Sequence, residues 1–88
     1  MKNLYQVIKR PVITEKSALQ ASQGKYTFEV DKKAAKGEVK RAVEKIFGVV
    51  VLNVQAANVK GKGKKSDWKK AVVTLKEGDK IELFEVGG

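Results

Sequence analysis

The run Lys60-Gly61-Lys62-Gly63-Lys64-Lys65-Ser66-Asp67-Trp68-Lys69-Lys70 holds six lysines, two glycines and a tryptophan against a single acid, Asp67. Ammonium groups at this density bind phosphate as point charges, and each contact releases counterion and adds roughly one unit to the salt slope of binding. The glycines let the backbone come close to a neighbour. Trp68 could stack on an unpaired base, which is worth about 1 to 3 kcal/mol in single-strand binders, or it could anchor a hairpin over a sheet.

A lysine run is in most proteins a solvated loop. Here the whole chain argues for contact, because 19 Lys and Arg face 10 Asp and Glu in 88 residues, a formal charge of +9. Such self-repulsion favours an anionic partner. All the cations but Arg10 and Arg41 are lysines, a composition suited to neutralising phosphates more than to reading base edges.

Other chemistry is removed by composition. The chain has no Cys and no His, so thiolate and histidine metal sites, histidine base catalysis and cysteine nucleophiles are excluded together. The carboxylates of Glu15, Asp31, Asp67 and Asp79 fall at turns and helix starts, where capping explains them. Lys60-Gly61-Lys62-Gly63 lacks the order of a P-loop. Tyr26 and Phe28 invite comparison with the aromatic platform of RNA-recognition sheets, but the basic and glycine signature of that platform is missing and both are expected in the core. The longest apolar run, Val49 to Leu52, is too short to span a bilayer, and no signal peptide is apparent at the start. An intracellular protein without a small-molecule substrate, cofactor, metal or membrane partner is expected.

These residues need a scaffold, and 88 residues suffice for one domain over 1–88. The segment Tyr5 to Ile13, with Pro11 inside it, predicts an extended or edge stretch. Thr14 ahead of Glu15 predicts the N-cap of a short helix ending by Gly24. Lys25 to Val30 alternates, with Tyr26, Phe28 and Val30 on one side and Lys25, Thr27 and Glu29 on the other, which predicts a half-buried strand. From Ala34 the apolar period becomes helical through Val39, Ala42, Val43, Ile46 and Phe47, closed by Gly48. Val50, Leu52 and Val54 alternate with Val51, Asn53 and Gln55 in a strand running toward Val59, with a bulge expected near Ala56 and Ala57. Lys69 to Leu75 predicts its hairpin partner, with Val73 and Leu75 inward, and Ile81 to Val86 a short last strand. The fold class is therefore α+β: an antiparallel sheet of three or four strands with helices packed on it and a basic β-hairpin loop.

Two runs carry a resemblance: Arg10-Pro11-Val12-Ile13-Thr14-Glu15-Lys16-Ser17, and Lys65-Ser66-Asp67-Trp68-Lys69-Lys70-Ala71-Val72-Val73-Thr74-Leu75. With Ala34 to Phe47 between them, they resemble the bacterial form of the universal large-subunit ribosomal protein twenty-three family over nearly the whole chain. The resemblance implies a structural ribonucleoprotein component of translation, bound to 23S ribosomal RNA beside the peptide exit tunnel and next to another large-subunit protein. Lys9, Arg10, Lys60, Gly61, Lys62, Lys64, Lys65, Trp68, Lys69 and Lys70 would then touch RNA. Ile13, Thr14, Glu15 and Lys16 match the surface on which a trigger-factor-type chaperone and the signal recognition particle dock in that family.

The chain departs from the family pattern twice. Its basic hairpin is shorter, so the extension toward the tunnel lumen is expected to be missing. Ala35 stands where relatives often place a capping threonine, which leaves the cap to another group such as Asp31, while Gly37 weakens the helix start. Two other classes remain open on the residues themselves: a free nucleic-acid chaperone or DNA-binding module, favoured by the same charge, and an acylphosphatase-type enzyme, suggested only by architecture.

Overall fold

The computed structural model describes residues 4–61, 63 and 66–81. In chain order the elements are α1 (Leu4–Val7), β1 (Ile8–Pro11), α2 (Glu15–Ala21), β2 (Lys25–Val30), α3 (Lys36–Phe47), β3 (Val51–Val59) and β4 (Trp68–Leu75). The four strands form one antiparallel sheet in the order β1-β2-β4-β3. This is the α+β architecture predicted above.

The start of the chain differs from the predicted extended segment. Leu4–Val7 is a single helical turn that delivers Val7 fully buried into the core, and the Val7 carbonyl accepts from the Asp31 amide at 2.9 Å. Only then does the chain extend, as edge strand β1, where Pro11 ends the strand and its missing N–H is tolerated.

Helix α2 begins as its sequence predicts. The Ser17 amide donates to Thr14 Oγ1 at 3.1 Å and the Thr14 amide donates to Ser17 Oγ at 2.6 Å, a reciprocal cap in which a serine replaces the usual Glu or Gln. Strand β2 is an interior strand, and Thr27 is buried along with Tyr26, Phe28 and Val30. The strand is covered more fully than its alternation suggested, with α2 packed beside it.

Helix α3 buries Val39, Ala42 and Val43 and ends at Gly48, whose φ of 65° is the left-handed conformation that glycine adopts without strain. Its start is held by Glu38, whose carboxylate accepts from the Ala35 amide at 3.2 Å. The carboxylate of Asp31, the expected substitute cap, instead accepts from the Lys33 amide at 2.9 Å and shapes the turn before the helix.

Phe28 and Phe47 lie with ring centroids 5.5 Å apart, which puts α3 on the Phe28 face of the sheet. Register then sorts the remaining strand residues, because paired residues share a face. Phe28 pairs with Ala71, and Tyr26 with Val73, so these side chains line the core beneath α3.

The bulge in β3 lies at Leu52, between the pairs Val51–Leu75 and Asn53–Thr74, and not at Ala56 and Ala57. The extra residue breaks the predicted alternation, so Val51 and Val54, one from each alternating set, are buried while Val50 and Leu52 are exposed. Strand β4 begins one residue earlier than predicted and buries Ala71, Val73 and Leu75. Ile81 is buried outside any strand, and the rest of the predicted last strand lies outside the described residues.

Candidate nucleic-acid interface

Strand β1 carries a second bulge. Ile8 pairs with Val30 and Arg10 with Glu29, which leaves Lys9 as the unpaired residue between them. In an unbroken strand Ile8 and Arg10 would share a face. The bulge instead leaves Ile8 against the core and turns Arg10 to the face opposite α3. There Arg10 Nε donates to Glu29 Oε1 at 2.8 Å, with the Arg10 side chain 72% exposed. Glu29 pairs in turn with Lys70, and Lys70 with Ala57, so one row crosses the sheet from Arg10 to Ala57.

Trp68 pairs with Val59 and by alternation shares the Lys70 face. Lys69 points the other way, and its ammonium donates to the Ala34 carbonyl at 2.5 Å. Of two adjacent lysines, one therefore braces the turn before α3 and the other stands on the open face.

Where β1 and the base of the β3–β4 hairpin approach each other, Lys9, Arg10, Lys32, Lys60, Gly61 and Trp68 line one open cleft. Its two acids are engaged, Glu29 with Arg10 and Asp67 with the Gly61 amide, whose N–H donates to Asp67 Oδ1 at 2.9 Å. That last bond ties the two ends of the hairpin loop together. The cleft thus gathers five of the residues singled out by sequence, from segments about fifty positions apart. Lys62, Lys64 and Lys65 lie outside the described residues. Lys32 was missed, since nothing in its own segment marks it; it reaches the cleft because the end of β2 lies between β1 and β4.

The second predicted surface is a separate shallow depression on α2, lined by Ile13, Thr14, Glu15, Ala18, Leu19 and Ser22. Ile13 and Leu19 are 53% and 66% exposed around the exposed Glu15. The Thr14 hydroxyl is occupied in the cap, and Lys16 is exposed but does not line the depression. Leu19 was read only as part of a short helix; its spacing of four from Glu15 is the signal that puts both on one side.

Residues 6–83 match the family model described as Ribosomal protein L23. The chain belongs to that family. It is similar to the large ribosomal subunit protein uL23 of Heliobacterium modesticaldum, with 55% identity over 93 aligned residues covering 97% of this chain and 98% of the relative. Similar relatives include those of a Roseiflexus species, 52% identical over 94% of this chain and 97% of the relative, and of Geobacter sulfurreducens, 50% identical over 96% and 99%. Membership makes the chain a structural, non-enzymatic constituent of the large ribosomal subunit, working in translation on the cytoplasmic ribosome. The acylphosphatase-type reading and the free nucleic-acid chaperone are thereby set aside. An alignment of 93 positions is longer than this 88-residue chain, so the Heliobacterium relative has residues that this chain lacks.

Proposed function

We propose that the chain acts as one ribosomal-protein domain that holds 23S ribosomal RNA in the cleft between β1 and the hairpin base, beside the exit of the peptide tunnel. The observation that carries this reading is the bulge at Lys9, which turns Arg10 toward the open face and makes one basic cleft of Lys9, Arg10, Lys32 and Lys60. Phosphates are neutralised by these groups and by Lys70, with Lys62, Lys64 and Lys65 extending the field along the loop. Trp68 and Gly61 fit the loop base to a folded RNA surface, and Lys69 contributes through its brace and its long-range charge. Exit-tunnel placement and a neighbouring large-subunit protein as partner rest on the family resemblance. By the family resemblance the hairpin of this chain is the shorter one, which leaves anchoring of RNA as its role.

The depression on α2 is the docking surface for a trigger-factor-type chaperone and the signal recognition particle. An exposed carboxylate ringed by Ile13 and Leu19 supports this reading, since a partner can cover the apolar pair while pairing Glu15 with a cation. An RNA crosslinking map of the intact particle tests the first claim: crosslinks from Lys60 and Trp68 to large-subunit RNA support it, and crosslinks confined to α2 overturn it. Ribosomes carrying Glu15→Ala should lose chaperone binding while keeping the chain assembled.

A further inference from the structure

Helix α3 turns a second set of cations away from the sheet. Lys36, Lys40, Arg41 and Lys45 are all exposed, and the pairs Lys36–Lys40 and Arg41–Lys45 are four residues apart, where like charges destabilise a helix. The two acids of the helix form no ion pair with them among the described residues. Glu38 accepts from the Ala35 amide and Glu44 from the Val51 amide at 3.0 Å, so both carboxylates are committed to the backbone of the fold. Arg41 has no carboxylate partner among the described residues.

Gly37 sits within this ridge for no reason internal to the fold. Its φ is ordinary for a helix, and a Cβ built on it would meet nothing within 4 Å. Glycine in a helix is destabilising, so neither conformation nor packing accounts for it. What it does provide is bare backbone beside Lys36, Lys40 and Arg41, where another surface can come close.

We propose that this ridge is a second RNA-contacting surface, which takes the phosphate backbone of a base-paired RNA segment. It lies on the side of the sheet opposite the Arg10–Lys70 row, so the protein ties two RNA segments together across its thickness. The inference rests on the reading of the chain as an RNA-binding constituent of the subunit, and it deepens that reading by adding a second contact. The ridge has lysines, one arginine and an exposed glycine but no aromatic side chain, which fits recognition by shape and phosphate position rather than base stacking.

The test uses the full chain and a short blunt-ended RNA duplex titrated at several salt concentrations. Two triple variants remove equal charge: Lys36→Gln, Lys40→Gln and Lys45→Gln on the ridge, and Lys16→Gln, Lys25→Gln and Lys76→Gln away from it. The ridge variant should bind about tenfold or more weakly than the control variant, with a salt slope lower by about three. Gly37→Gln should weaken duplex binding several-fold while its thermal midpoint stays level or rises. Equal binding by the two triple variants, a Gly37→Gln protein that binds like the wild type, or tighter capture of polyglutamate than of the duplex would each overturn the proposal. A third variant, Lys9→Gln, Arg10→Gln and Lys60→Gln, separates the two readings. If it alone loses RNA, the ridge proposal fails and the cleft stands; if only the ridge variant loses RNA, the cleft assignment fails and the ridge stands.

Discussion

The ammonium of Lys69 donates to the carbonyl oxygen of Ala34 at 2.5 Å, joining β4 to the turn that precedes α3. Ala34 is buried, so that carbonyl has little access to replacement water. Lys69→Met should therefore destabilise the protein by about 1 to 3 kcal/mol, the range for stranding a buried acceptor. Lys70→Met, on the open face one residue later, should change stability by no more than about 0.5 kcal/mol and act on RNA binding instead. Urea unfolding of both variants checks the contrast, and equal losses would show that the two lysines are not divided in this way.

Glu29 stands between Arg10 and Lys70 on the open face, and its bond to Arg10 joins a guanidinium that is 72% exposed to a carboxylate that is 16% exposed, a solvent-screened pair worth about 1 kcal/mol. Glu29→Gln removes a negative charge from the cleft and frees the guanidinium for phosphate. RNA affinity at moderate salt should rise by a few-fold, with stability nearly unchanged. A drop in affinity would mean that Glu29 is needed to aim Arg10.

Asp67 closes the hairpin loop through the Gly61 amide. Asp67→Asn keeps an acceptor for that amide and loses the charge, so it should bind RNA at least as well as the wild type. Asp67→Ala loses the same charge and the closure as well, and it should bind more weakly than Asp67→Asn. Filter binding of the two variants against one RNA fragment distinguishes closure from charge, and identical affinities would show that closure does not matter.

Much of the fold was legible because its signals are local. The alternation of Tyr26, Phe28 and Val30, the helical spacing from Val39 to Phe47 and Gly48 at the helix end each need only a few neighbouring residues to be read. Four residues of α1 are too few to show a helical period, and that turn was read as extended. The bulges at Lys9 and Leu52 depend on the partner strand and leave no mark in their own segments. For that reason the regular alternation expected from Val50 to Gln55 breaks at Leu52, and the bulge does not fall near Ala56 and Ala57.

For the candidate site, composition marked the lysines without saying which way each faces. Lys69 finds its acceptor thirty-five positions away, and Lys32 enters the cleft only once the strand order is known. Lys9, Arg10, Lys60 and Trp68 were named from sequence, but their convergence is a property of the sheet.

The most direct test of the central claim is the salt dependence of binding to a fragment of large-subunit RNA, measured for the wild-type chain and for one with Lys9, Arg10, Lys60 and Lys70 all replaced by Gln. If these groups hold phosphates, the slope of log affinity against log salt falls by between about three and four in the variant. An unchanged slope would contradict the account.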